Sequence, residues 1–261
     1  MNTSQSLPIA EVNIYDPSTF ATNALSSPTA LAAVIDHTLL KPEATRAQVI
    51  RLCHEAAEHR FACAMVNPAW VPIAVETLAG TGVPIGVVVG FPLGASLAAS
   101  KADETKRLLK LGAHDIDMVL NIGFLKSGSK EDYEAVRQEI RCVVEIAHGC
   151  GGIVKVILET CLLNFEEKLR ASEIALAAGA DFIKTSTGFS AGGATVDDIS
   201  LMRGVAGQRA GVKASGGIRS LADASAMLHA GASRIGASAS VKILAELTGN
   251  TTAAVVAAGS Y

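Results

Sequence analysis

Aromatic residues are scarce in this chain, with one Trp, three Tyr and seven Phe among 261 residues. Charged residues are sparse too, at 18%, below the roughly 25% usual in soluble domains. Small and apolar residues take their place, with 24 Gly and a 49% hydrophobic fraction. That is too apolar for a disordered chain and suits elements packed closely through small side chains. There is no basic cluster among the 22 Lys and Arg that face 25 Asp and Glu, so a nucleic-acid partner is not expected. No apolar run approaches the roughly 20 residues of a membrane span. The first 40 residues hold no Lys or Arg, so the basic start of a secretory signal or transit peptide is missing. A cytoplasmic, enzyme-sized domain is the expectation.

Familiar site patterns are missing as well. The five cysteines (Cys53, Cys63, Cys142, Cys150, Cys161) form no CxxC pair, and their odd number suits reduced thiols. The six histidines form no HxH, HExxH or His/Cys cluster, so no metal is expected; His37, beside Asp36, is the one kept in view. Neither a GxSxG elbow nor a Ser-His-Asp order argues for a hydrolase.

Organisation is where the chain becomes informative. Residues 1–28 are rich in Ser, Thr, Asn and Pro without a sustained period and read as a loosely ordered extension. After them, eight short apolar runs alternate with helical stretches: 34–36, 62–67, 85–90, 116–121, 153–159, 181–186, 211–215 and 234–238. Counted from Ile35, Cys63, Ile85, Ile116, Ile153, Phe182, Val212 and Ile235, the gaps are 28, 22, 31, 37, 29, 30 and 23 residues. Each gap holds one strand, one helix and two loops. Helices are predicted to start at Pro42–Glu43 and to run over 100–111, 130–147 and 165–178, with Gly112, Gly149 and Gly179 as stops. Eight such units in one domain, residues 29–261, read as a single α/β TIM (β/α)8 barrel. The competing doubly wound sheet is weakened because no GxGxxG follows the first strand.

Eight of the eleven lysines sit in helices or loops, where a solvated face explains them. Lys155, Lys184 and Lys213 instead interrupt predicted strands, at spacings of 29 and 29 residues. A buried charge costs several kcal/mol unless paired. The plainer reading is a structural ion-pair network with Asp117 or Glu159; the alternative is chemistry. Residues i and i+2 of a strand share a face. Lys155 therefore goes with Ile157 and Glu159, Lys184 with Phe182 and Ser186, Lys213 with Ser215, and Asp117 with Val119 and Asn121. If these faces point inward, three amines and a carboxylate converge below the C-terminal mouth, where barrel active sites lie. Crowding and burial then favour one neutral lysine near pH 7, a nucleophile able to form a Schiff base with a carbonyl. The segments 186–193, 215–220 and 236–238 add Gly, hydroxyls and Arg219 after the last three strands, a setting for phosphate.

The motifs IDHTLLKP (35–42), HDIDMVLN (114–121), VKVILET (154–160), DFIKTSTGF (181–189) and VKASGGIR (212–219) resemble, in order, those of the deoxyribose-phosphate aldolase family, class I aldolases on a TIM barrel. The resemblance runs from about residue 30 to the C-terminus. It implies reversible cleavage of 2-deoxy-D-ribose 5-phosphate to acetaldehyde and D-glyceraldehyde 3-phosphate by a homo-oligomer without cofactor or metal. It assigns Lys184 as the Schiff-base lysine, Lys213 as the ammonium that lowers its pKa, and Asp117 as proton donor and acceptor. Lys155 would bind a substrate oxygen and hold the charge network, and Asp36 and Thr38 would complete the polar floor. Thr185 and Gly188 fall among the substrate contacts. Gly216, Gly217, Gly236 and Ser238 would surround the phosphate, with Arg219 beside them. The family also ends in Tyr, so Tyr261 would assist proton transfer at the enamine carbon.

The chain departs from some members of the family at three places. Phe189 stands where they carry Lys, which removes a phosphate-side charge and gives Arg219 more weight. Ala239 replaces a second Ser, leaving the backbone amide without the hydroxyl. Met65 replaces a reactive Cys. A phosphosugar isomerase or epimerase, a flavin-binding barrel and a non-catalytic phosphate sensor are the alternatives on the same fold. Because of Met65, reduced alkylation by unsaturated aldehydes is expected, although Cys63 shares the strand face. After prolonged exposure to crotonaldehyde, peptide mass spectrometry should find no stoichiometric adduct on Cys63; such an adduct with lost activity would sink this expectation.

Overall fold

The computed structural model of the chain describes residues 15–249. Eight parallel strands close into a barrel in sequence order: β1 (Ile35–Leu39), β2 (Cys63–Val66), β3 (Ile85–Val89), β4 (Asp115–Val119), β5 (Ile153–Ile157), β6 (Phe182–Lys184), β7 (Gly211–Ser215) and β8 (Arg234–Ala237). All eight fall on the apolar runs of the sequence. β1 continues past the predicted Asp36 to Leu39, because it pairs with β2 as far as Leu39↔Val66. The pairing of β1 with β8, Asp36↔Gly236, closes the ring and brings the loops that follow these two strands side by side.

Among the described residues two helices precede the barrel, α1 (Pro17–Ala24) and α2 (Pro28–Ala32). Those that follow are α3 (Arg46–His59), α4 (Val71–Leu78), α5 (Ala98–Lys110), the short extra α6 (Ile122–Ser127), α7 (Lys130–His148), α8 (Phe165–Ala177), α9 (Val196–Ala206), α10 (Leu221–His229) and α11 (Ser240–Leu247). Among the described residues no helix is long and apolar enough to cross a membrane.

Two expectations about local structure need correction. The extension over 1–28 is helical at 17–24. Asp16 caps α1 by accepting from Thr19 N at 2.7 Å, Pro17 occupies the first turn, and the Tyr15 hydroxyl donates to the carbonyls of Gly231 and Ala232. Residues 1–14 lie outside the described residues. The helix predicted from Pro42 starts four residues later, at Arg46. There Thr45 and Gln48 form a reciprocal capping box, a stronger start signal than a proline alone, and residues 42–44 make a turn.

Period 2 sorts the strand residues into two cores. Outward residues such as Ile116, Met118, Val154, Val156, Ile183 and Ile235 pack under the helices. Inside the barrel, Cys63, Met65 and Val88 with Leu40 and Phe91 form a small apolar cluster on the β2–β3 side. A Cβ on Gly86 would collide with Met65 and Cys63, so glycine leaves them room. The other side of the interior is charged.

Lys101, one of the lysines read as solvated, is fully buried. Its ammonium donates to Val119 O at 2.8 Å and to both Glu139 oxygens at 3.0 Å, and Glu139 accepts from Asn121 N at 2.6 Å. The pair ties α5 and α7 to the end of β4, two residues beyond Asp117. Removing one partner strands a buried charge. Lys101→Met should therefore lower unfolding free energy by about 3–5 kcal/mol, and Lys101→Met with Glu139→Leu should recover most of it, as measured by chemical denaturation.

Candidate active site

The interior register sets like charges beside one another: Lys184 pairs with Lys213, and Lys213 with Arg234. Like charges directly opposite on adjacent strands are destabilising, so the arrangement depends on its carboxylates. Lys184 donates to Asp117 Oδ2 at 2.6 Å, and Lys213 donates to the same oxygen at 2.7 Å. Lys213 also donates to Asp36 Oδ2 at 2.5 Å, and Arg234 reaches Asp36 Oδ1 at 3.0 Å. Lys155 donates to Asp115 Oδ2 at 2.5 Å and lies 3.2 Å from Asp117 Oδ1 and 3.6 Å from Asp36 Oδ2. Gly236 leaves room for this crowd, since a Cβ there would stand 3.0 Å from Lys213 Cε.

Four cations thus meet three carboxylates, and the surplus charge falls on one group. Burial pushes the Asp117 carboxyl up, but Lys155, Lys184 and Lys213 outweigh it and hold Asp117 well below the usual range. For Asp36 burial is again outweighed, by Lys213, Lys155 and Arg234, and the carboxyl sits at about 2. Lys155 goes the other way from what burial alone would impose, because Asp117, Asp36 and Asp115 raise it well above an ordinary lysine. Lys184 is lowered to about 8, first by burial and then by Lys213 and Lys155, against the pull of Asp117. With Lys184 neutral, the cluster balances.

Above the cluster opens a cavity of about 370 Å³ at the C-terminal mouth. Of the four interior cations only Lys184 lines it, together with Thr38, Thr187, Gly188, Phe189, Ser215–Arg219 and Gly236–Ser238. Lys41 stands on its wall as well. Gly216 and Gly217 both have positive φ, which lets the loop after β7 turn sharply with its backbone at the cavity. That loop leads into the N-terminus of α10. The β8 loop leads into α11, whose cap residue Ala239 makes no side-chain cap bond, so its first amides are left for another acceptor. Among the described residues the cavity lining contains no acidic side chain and no histidine.

Several assignments change with this geometry. Lys155 does not line the cavity; it is fully buried among three carboxylates, so a direct bond to substrate oxygen is replaced by a place in the charge network. Asp36 likewise lies beneath the cavity, held by Lys213 and Arg234. Thr185 turns sideways, donating to Ser215 O and accepting from Ser215 N, because it alternates with Lys184 and faces away from the interior. Glu159 is outside the lysine network; its backbone is left-handed (φ 57°) and its carboxylate accepts from the Thr187 hydroxyl and amide. His37 is on the outer face of β1, against Phe61 and 2.8 Å from Glu55. Tyr261 lies outside the described residues.

Asp115 and Arg234 belong to the network but were not singled out in the sequence, although the same period-2 test applies: Asp115 shares a face with Asp117, and Arg234 with Gly236. Asp36, Cys63 and Asp115 bring one potential ligand atom each within 4.8 Å of one another. Lys155, Lys213 and Arg234 already occupy the two carboxylates, and burial holds the Cys63 thiol well above its usual pKa. The donor set is that of an ion-pair network rather than a cation site.

Known proteins resemble this chain over most of its length. The sequence profile of the DeoC/LacD family aldolases matches residues 30–252. The deoxyribose-phosphate aldolase of Geobacillus sp. (strain WCH70) is 52% identical over 221 residues, 85% of this chain and 97% of the relative. That of Caldanaerobacter subterraneus subsp. tengcongensis is 56% identical over 217 residues, 83% of this chain and 93% of the relative. Among solved structures, a tetrameric deoxyribose phosphate aldolase from Aeropyrum pernix superposes with a TM-score of 0.81 at 36% identity, covering 92% of this chain and 99% of that one. A closed parallel barrel, an interior lysine cluster and a family match over most of the length agree, and the chain belongs to the DeoC/LacD family of aldolases.

Proposed function

We propose that the chain catalyses reversible cleavage of 2-deoxy-D-ribose 5-phosphate to acetaldehyde and D-glyceraldehyde 3-phosphate, with Lys184 as nucleophile. The observation that carries this reading is that Lys184 lines the cavity, has its pKa lowered to about 8, and shares Asp117 Oδ2 with Lys213. The neutral amine attacks the C1 aldehyde of the open-chain sugar, and loss of water from the carbinolamine leaves a protonated Schiff base. Loss of the C3 hydroxyl proton breaks the C2–C3 bond. The electron pair moves into the iminium to form an enamine, and the phosphorylated aldehyde departs. Protonation of the enamine carbon and hydrolysis release acetaldehyde and regenerate the amine. Asp117 and Lys213, which share a hydrogen bond beside the reacting nitrogen, relay the protons.

The phosphate would lie at the other end of the cavity, against Gly216, Gly217, Gly236 and Ser238, the amides opening α11, and Arg219. An isomerase or epimerase reading is disfavoured, because such a reaction needs no amine nucleophile, whereas here a lysine with a lowered pKa lines the cavity. The tetrameric relative supports a homo-oligomer for this chain as well.

Incubation with acetaldehyde followed by borohydride reduction should leave a stable two-carbon adduct on Lys184, read by peptide mass spectrometry. Full activity with no adduct there would overturn the mechanism. The rate should also climb with pH through about 8, since the folded-state pKa of Lys184 governs its neutral fraction. Lys213→Leu removes a like charge that lowers this pKa, so the rising limb should move to higher pH and turnover at pH 7 should fall by roughly 10-fold for each unit of displacement. A lysine with a purely structural role would change the unfolding midpoint and leave the limb in place.

A further inference from the structure

We infer that Lys41 is the second cation of the phosphate subsite and a determinant of preference for phosphorylated substrates; this rests on the aldolase reading above. The charged side chains lining the cavity are Lys41, Lys184 and Arg219, with no carboxylate among the described residues. Lys184 is at the reacting end. The lining therefore offers two cations, Lys41 and Arg219, for a dianion.

The backbone at Lys41 is held on both sides. Asn67 Nδ2 donates to Leu40 O at 3.0 Å, tying the β1 loop to the β2 loop, and Ala44 N donates to Lys41 O at 3.1 Å. The ammonium, by contrast, has no hydrogen bond or ion pair among the described residues. An anchored base with an uncommitted charge suits ligand capture, because little backbone order must be gained on binding. Barrel closure supplies the placement. β1 pairs with β8, so the loop carrying Lys41 lies beside the C-terminal end of β8, Ser238 and the uncapped start of α11.

Beyond Lys184, the loop after β6 adds no cation to the lining. Phe189, after β6, stacks edge-on against Phe91 with ring centres 5.2 Å apart and presents an aromatic surface to the cavity. Positive charge beyond Lys184 is thus supplied from the β1 and β7 loops, and the β6 loop contributes the Phe189 ring instead of a cation.

The test compares kcat/KM for 2-deoxyribose 5-phosphate and for unphosphorylated 2-deoxyribose in the full-length enzyme, Lys41→Met, Lys41→Arg, Arg219→Met and the double variant Lys41→Met/Arg219→Met. Lys41→Met should lower the ratio of the two specificity constants by about 10-fold, mainly through KM for the phosphorylated sugar, as expected for loss of one charge-assisted hydrogen bond. Lys41→Arg should restore most of the ratio, and inorganic phosphate should inhibit Lys41→Met more weakly than the parent. A ratio unchanged in Lys41→Met, or an equal loss on both sugars, would overturn the assignment. If the parent enzyme cleaves neither sugar, the aldolase reading fails instead.

Discussion

Two amines compete for one oxygen of Asp117, and much of the interior follows from that competition. Neither lysine could sit beside the other without the shared carboxylate, yet a single carboxylate oxygen cannot fully stabilise two ammonium groups in a buried interior. Asp36 and Asp115 take part of the load, the first with Lys213 and Arg234 and the second with Lys155. Lys184, the amine at the cavity, is left with a weakened hold on its proton. The site is therefore activated by a deficit of carboxylates, a property of the whole cluster that no pair of residues has alone.

The fold serves this imbalance by separating tasks around the ring. Strands β2 and β3 fill their side of the interior with Cys63, Met65 and Val88, which brings no charge and few polar atoms. Strands β4 to β8, with β1, carry the ionic network, and the loops after β1, β7 and β8 face the cavity with two cations, glycine turns and helix N-termini. The Lys101–Glu139 pair stands outside the barrel wall at the end of β4. It holds the strand that carries Asp117 from behind and does not enter the cavity.

Much of the site was legible because the interior of a small barrel is an unforgiving place for charge. Lys155, Lys184 and Lys213 interrupt apolar runs, and the strand period alone puts each on a defined face. Asp115 and Arg234 obey the same rule and could have been read with it. Lys101 could not, because helical periodicity marks a face without saying whether a neighbouring helix will cover a lysine on it. Thr185 was assigned to the substrate from its place in a motif, although adjacency to Lys184 in a strand turns it to the other side. Lys155 shares its face with the site yet sits too deep for the cavity, a difference of height along the barrel axis that face periodicity does not encode.

By itself, the sequence determined the number and order of the βα units, the inward face of each strand and the residue types that meet there, since these follow from local periodicity and the cost of burying charge. Tertiary structure alone decided which lysine faces the cavity, which carboxylate oxygen two amines share, and which loops become neighbours when β8 closes on β1. Those outcomes depend on register, on depth along the barrel axis and on the sum of charges brought together from distant segments. A linear pattern holds none of these until the ring is closed.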